Sequence, residues 1–207
     1  VWIDWLFHLS NLHNLNLKDI SLDDFYKEDI NEKSVISDIE YYKNFLDWGM
    51  DGEPNNLCDD VIKWLKKNIP SDANPNKLCW GDSRLGNILY RDYKASALLD
   101  WEMSSIGDPI SDLAWGFAVD DASSLGLGIK KLEGSLSSSE AIDIWEKNTN
   151  LSSKNYKFYR IFSLLKFSII MIRVAKKLMI NNIIELEKDF YKNNYISNFL
   201  EKEFKQI

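Results

Sequence analysis

Apolar residues recur at Trp2, Trp5, Leu6, Leu9 and Leu12, the three-and-four spacing that gives a helix one apolar face. The pattern predicts a helix over 2–17, and a second over 34–48 that stops near Gly49. Asp51-Gly52-Glu53-Pro54-Asn55-Asn56 is a turn cluster, and 57–68 reads as a short amphipathic helix with Val61, Trp64 and Leu65 inward. Residues 70–76 break the chain again. The middle changes character: 77–80, 87–90 and 95–100 are short, apolar and bounded by turn residues. They read as strands, the last two forming a hairpin across Arg91-Asp92-Tyr93-Lys94. After Asp108-Pro109 the helical period returns through Leu113, Trp115, Phe117 and Val119, with Asp108 as N-cap and Pro109 in the first turn. The Gly- and Ser-rich stretch 125–138 reads as a mobile loop and the acidic stretch 21–31 as a surface loop. Further helices are predicted over 139–148, 154–179 and 182–199. The fold class is α+β, predominantly helical, with one compact β-rich region and no internal repeat.

Composition narrows the partners. Of the 207 residues 45% are hydrophobic, including eight Trp, nine Tyr and ten Phe, which is enough to build a core and excludes global disorder. A formal charge of −7 argues against nucleic acid as a ligand, because phosphate neutralisation needs a basic face. The two cysteines, Cys58 and Cys79, do not make a disulfide framework, and Cys79 reads as a small apolar residue beside a strand. Reduced thiols point to a cytoplasmic location. Val1-Trp2-Ile3-Asp4-Trp5 lacks a basic leader segment. The apolar stretch 161–180 holds Lys166, Arg173, Lys176 and Lys177, which argues for a helix outside the membrane. A chain opening on Val1 directly into a helical pattern reads as a fragment.

The chemistry is concentrated in Cys79-Trp80-Gly81-Asp82-Ser83-Arg84-Leu85-Gly86-Asn87 and, thirteen positions beyond Asn87, Asp100-Trp101-Glu102. Each polar residue stands where an apolar run hands over to a loop, so three oxygen-bearing side chains can converge from neighbouring strand ends. Phosphoryl transfer needs this set: a carboxylate that orients the attacking hydroxyl and takes its proton, and oxygen ligands for Mg²⁺. Protein kinases place an Asn five residues after the catalytic Asp and a second metal-binding Asp later, the order of Asp82, Asn87 and Asp100. Simpler readings stand beside these. Asp82 alone is a turn or cap residue. Glu102 touches magnesium indirectly or bonds backbone amides, and Arg84 contacts phosphate or pairs with a carboxylate. His13 reads as a structural histidine, and His8 has no partner visible in the sequence. Asp120, Asp121, Glu133 and Glu140 form either an attractor for a cationic substrate or, as we read them, a solvated acidic face.

Gly81-Asp82 with Asn87, then Asp100-Trp101-Glu102, then Gly107-Asp108-Pro109 with Asp112-Leu113-Ala114-Trp115, resembles the aminoglycoside phosphotransferase family. The likeness is to the branch related to the kinase-like domain fused to some acyl-CoA dehydrogenases, and Leu12-His13 resembles a Leu-His pair of that family. The match covers roughly 1–120, with 77–115 as the catalytic and metal-binding segment. The resemblance implies that the whole chain, 1–207, is the helical C-terminal lobe of a protein-kinase-like fold, its small hairpin carrying the catalytic and metal-binding loops. It implies Asp82 as catalytic residue, Asn87 and Asp100 as magnesium ligands at the nucleotide, and Asp112 as the brace of the catalytic loop, with Arg84, Glu102 and Trp80 in support. Trp80 stands where the family usually has His, and marks the subfamily. ATP or another nucleoside triphosphate is the implied donor and a small-molecule hydroxyl the acceptor, of hydroxyacyl-CoA or aminoglycoside type. The Gly-rich turn and strand lysine that hold the phosphates in kinases are expected in an N-terminal lobe upstream of Val1, so the chain alone is expected to be inactive. Two competing readings remain open: a pseudokinase or interaction module without turnover, and a metal-dependent hydrolase using Asp82, Asp100 and Glu102.

Overall fold

The computed structural model describes residues 1–19, 35–181, 183 and 187–207. The surface loop expected over 21–31 and part of the helix expected over 182–199 lie outside the described residues. Seven helices of ten residues or more are described: α1 (Trp2–Asn14), α2 (Val35–Met50), α3 (Asn56–Lys67), α4 (Ile110–Ser124), α5 (Ser138–Thr149), α6 (Tyr156–Ile180) and α7 (Tyr195–Phe204). Four short strands sit between α3 and α4: β1 (Lys77–Cys79), β2 (Ile88–Arg91), β3 (Lys94–Leu98) and β4 (Ser105–Gly107). Both sheets are two-stranded and antiparallel. The β2–β3 hairpin pairs Ile88 with Leu98 and Arg91 with Lys94, and β1 pairs with β4 through Leu78 and Ile106. No helix among the described residues is long and apolar enough to cross a membrane.

The chain divides into two compact units. The first comprises 1–34, 70–117 and 131–160, and it holds both sheets. Here α1 packs on α5, β1 and β3. The apolar stripe read from the sequence is the reason: Trp5, Leu6, Leu9 and Leu12 are all buried. Trp5 meets Phe117 edge to face at 5.8 Å, and Trp2 stacks on the same ring at 5.3 Å. The α5 helix opens on a capping box, in which Ser137 and Glu140 satisfy each other's amides.

The second unit comprises 35–69, 118–130 and 161–207. Here α2 packs on α3, burying Ile39, Leu46, Met50, Val61 and Leu65. Arg173 lies 3.7 Å from the centre of the Trp48 ring, and Tyr191 donates to Glu53 at 2.5 Å.

Several expectations change. α1 ends at Asn14 because Leu15 turns to an extended conformation, ψ 138°. α2 ends at Met50, one residue past the expected stop near Gly49. The chain turns at Asp51 and Gly52, with φ of 54° and 84°. β4 was not anticipated. The last helix starts only at Tyr195, because Asn194 caps it by accepting from the amides of Ile196 and Ser197. Asp121, expected on a solvated acidic face, is buried. Glu140 is committed to its capping box.

Candidate active site

The loop between β1 and β2 starts from a glycine with no substitute. Gly81 has φ +87°, and a Cβ there would fall 2.1 Å from the carbonyl oxygen of Met103. Asp82 follows on this tight backbone and is 8% exposed. Its carboxylate is held on both sides. Trp115 Nε1 donates to Oδ1 at 2.6 Å, while Asn87 Nδ2 at 2.6 Å and Arg84 Nε at 3.0 Å donate to Oδ2. Asn87 also donates to the Asp82 backbone carbonyl at 3.0 Å, so the five-residue interval of the sequence closes on itself.

Asp112, in the first turn of α4, binds the loop from behind. Its Oδ2 accepts from the Trp80 amide at 2.7 Å and its Oδ1 from the Gly81 amide at 2.8 Å. Ser83 Oγ donates to the Asp112 carbonyl at 2.5 Å. His13 Nε2 lies 3.1 Å from Asp112 Oδ2, and Trp145 Nε1 donates to His13 Nδ1 at 2.9 Å. Four more constraints come from tryptophan and asparagine. Trp5 Nε1 donates to the Ser83 carbonyl at 2.9 Å, and Trp80 Nε1 to the Leu99 carbonyl at 2.8 Å. Trp101 Nε1 donates to the Leu98 carbonyl at 2.9 Å. Asn74 Nδ2 reaches Asp108 Oδ1 at 2.8 Å.

Asn87 immediately precedes β2 and Asp100 follows β3, so both stand at the open end of one hairpin. The Leu99 amide donates to the Asn87 carbonyl at 2.8 Å, joining the two ends directly. Asp100 is in the left-handed region, φ 63° and ψ 61°. It is exposed, and its carboxylate makes no hydrogen bond or ion pair among the described residues. The donor chemistry suits magnesium, which accepts one or two carboxylates and fills its remaining positions with water and phosphate oxygens. Asn87 and Asp100 are the residues that would hold it. No cluster of three His, Cys, Asp or Glu side chains of the kind that cages a metal occurs among the described residues.

The residues singled out around the catalytic loop have these places. Asp82, Asn87, Trp80, Arg84 and Asp112 form one hydrogen-bonded group, and Arg84 takes the carboxylate pairing. Glu102 is exposed on the short turn after Asp100 and bonds no backbone amide among the described residues. His13 is structural and fully buried, and His8 faces Asp4 at 3.9 Å. Asp108 accepts from the Ile110 amide at 3.2 Å, a helix-start role. Trp115, Trp5, Trp145 and Asn74 were not singled out as site residues. Burial, with the charge of Asp112 adding to it, pushes the Cys79 thiol well above its ordinary value, which removes Cys79 as a nucleophile.

The model of the phosphotransferase enzyme family (APH) matches residues 8–136. The chain belongs to that family. Acyl-CoA dehydrogenase family member 11 of Pongo abelii is 33% identical over 108 residues, which are 51% of this chain and 13% of that protein. A solved structure from Ralstonia eutropha, described as an aminoglycoside phosphotransferase, superposes with a TM-score of 0.77 at 20% identity, over 99% of this chain and 64% of that one. Choline kinase LicA of Streptococcus pneumoniae superposes with a TM-score of 0.63 at 17% identity, over 100% of this chain and 63% of that one. The family member therefore has a kinase-like fold, and it spans about two thirds of those two structures and a small part of its curated relative.

Proposed function

We propose that this chain supplies the catalytic and metal-binding loops of a small-molecule kinase that transfers the γ-phosphoryl group of ATP, or another nucleoside triphosphate, to a hydroxyl. The observation that carries the reading is the Asp82 carboxylate, oriented by three donors beside Asn87, with the unpaired Asp100 carboxylate at the same hairpin end. In the transfer, the acceptor oxygen forms a bond to the γ-phosphorus while the bond to the β–γ bridging oxygen breaks. The nucleoside diphosphate leaves, and Asp82 takes the hydroxyl proton. Bound magnesium supplies charge neutralisation at the phosphates. Asn87 and Asp100 hold it, and Asp112 keeps the loop rigid.

Trp80 does not weaken the reading. Its indole ties the catalytic loop to the strand end before Asp100, which is the bracing task of that position. The preferred acceptor is an acyl-CoA-related hydroxy acid, by likeness to the acyl-CoA dehydrogenase relatives, ahead of an aminoglycoside or other amino alcohol. The solved structures this chain resembles are longer than the part it matches, and we assign the rest of the nucleotide cleft to that extra length, so these residues alone should not turn over.

The test is an acceptor screen on the full-length reading frame with MgATP, following nucleoside diphosphate release. Asp82→Asn should lower turnover by about three orders of magnitude or more while nucleotide affinity changes little. Turnover unaffected by Asp82→Asn would remove the assignment.

A further inference from the structure

The two oxygens of Asp82 live in different surroundings. Oδ1 receives a single donor, the Trp115 indole, at 2.6 Å, and Trp115 is 3% exposed. Oδ2 is shared between Asn87, which the functional reading assigns to the metal, and Arg84, whose side chain is 48% exposed. A neutral, fully packed indole offers one N–H and no acceptor. It can orient a carboxylate but can neither ligate a metal nor take a proton. Oδ2 has the opposite character, since an exposed guanidinium can swing away and Asn87 has a second function to serve.

The helix that carries Trp115 is fixed against the loop. Asp112 and Trp115 are three residues apart on α4 and share a face. Asp112 binds the loop's backbone while Trp115 binds its side chain. A Cβ on the neighbouring Gly116 would come within 2.9 Å of the Ser83 carbonyl and 2.8 Å of the Trp5 ring, so helix and loop approach as closely as backbones allow.

Building on the proposed kinase reading, we infer that Trp115 is a positioning residue for Asp82: it anchors Oδ1 and leaves Oδ2 as the oxygen that receives the acceptor's proton. A carboxylate anchored at one oxygen keeps its rotamer when Asn87 and Arg84 let go. A carboxylate without that anchor turns about its last torsion, and its lone pair is aimed at the hydroxyl only part of the time. The loss falls on the chemical step and spares nucleotide binding, because the one N–H of the Trp115 indole is spent on Asp82 Oδ1 and not on a proposed metal ligand.

The experiment uses Trp115→Phe, which keeps an aromatic ring and removes the N–H. In the full-length protein, kcat should fall about tenfold to a hundredfold, as for loss of a hydrogen bond to a charged group. KM for ATP and magnesium-dependent nucleotide affinity should stay within about twofold of wild type. A merely structural tryptophan would lower the melting temperature and leave kcat per folded molecule unchanged, and that result overturns the inference. If Asp82→Asn is inactive and Trp115→Phe is not, the positioning role falls and the kinase reading stands. If Asp82→Asn keeps its turnover, both fall together. A second readout needs no turnover and no folded Phe variant. In the ¹⁵N-tryptophan-labelled chain, the Trp115 indole proton should resonate downfield of the other seven and move upfield in Asp82→Asn. An indole resonance indifferent to Asp82→Asn overturns the inference by itself.

Discussion

Trp145 donates its indole N–H to Nδ1 of His13 at 2.9 Å, and that bond assigns the proton of the imidazole. With Nδ1 accepting, the hydrogen sits on Nε2 and points to Asp112 Oδ2, 3.1 Å away. A relay thus runs from α5 through α1 to the carboxylate that holds the Trp80 and Gly81 amides. His13 is wholly buried and serves the loop through its partner without touching the reacting groups.

His13→Ala should therefore cost stability, leaving both the Asp112 oxygen and the Trp145 N–H short of a partner in the interior. A loss of about 3 kcal/mol is expected from breaking a buried, charge-assisted contact, read from urea unfolding of the chain. An unchanged midpoint would mean that water replaces the imidazole.

Gly81→Ala should be among the most damaging single-methyl additions in the chain. The new Cβ has to sit against the Met103 carbonyl on a backbone at φ +87°. Strain there should exceed about 2 kcal/mol, either lowering the thermal midpoint or pulling the loop away from Asp112. Exchange of the Trp80 and Gly81 amides, both bonded to Asp112, distinguishes the two, because a displaced loop loses their protection.

Much of this was legible in the sequence, and the boundary of legibility has physical causes. The apolar stripe of α1 and the hairpin turn at Arg91–Lys94 are local patterns, and they predicted their elements within a few residues. The spacing of Asp82, Asn87 and Asp100 was also readable, because a loop closing on its own Asn and a hairpin bringing Asn87 and Asp100 to one end are short-range events. The roles of Trp115 and Trp145 were not readable. A tryptophan at helical spacing is indistinguishable from core filling until the polar atom its N–H reaches is known, and His13 lies 132 residues from Trp145. β4 was hidden for a similar reason, since three residues acquire strand geometry only by pairing with β1 far upstream. The late helix was misplaced because the cap at Asn194 outweighs the apolar spacing that precedes it.

Alkaline pH should destabilise both units. Burial pushes the Cys58 thiol up to about 12 from an ordinary 9.0 and raises Cys79 well above that value. Tyr90 rises to about 12 from 10.0, through burial first and the nearby Asp4 charge second. In each case the folded state holds its proton to higher pH than the unfolded chain. The contribution of the two thiols is complete below pH 9 and that of Tyr90 below pH 10, and each is lost as pH climbs toward 12. Each buried thiol adds a slope of up to about 1.4 kcal/mol per pH unit in that window, and the partly exposed Tyr90, screened by solvent, adds less. Urea unfolding at a series of pH values should show the fall, and Cys58→Ala should flatten it. A stability curve level from pH 9 to 11 would contradict the burial of these groups.

Asp100 offers the sharpest separation of function from stability. An L-residue in the left-handed region costs roughly 1 kcal/mol relative to glycine, less for Asp than for most. Its carboxylate is exposed and, among the described residues, makes no bond that could offset that cost. A residue kept there for the fold alone would be better replaced by glycine, so the side chain needs another reason, and the proposed magnesium site would supply one. Asp100→Gly should leave unfolding free energy unchanged or raise it by up to about 1 kcal/mol, while abolishing magnesium-dependent nucleotide binding by the full-length protein in titration calorimetry. Asp100→Ala should lose the same binding and some stability as well, because alanine keeps the strained backbone. If Asp100→Gly binds nucleotide with wild-type magnesium dependence, the metal is held elsewhere, and the strain at Asp100 has no functional account.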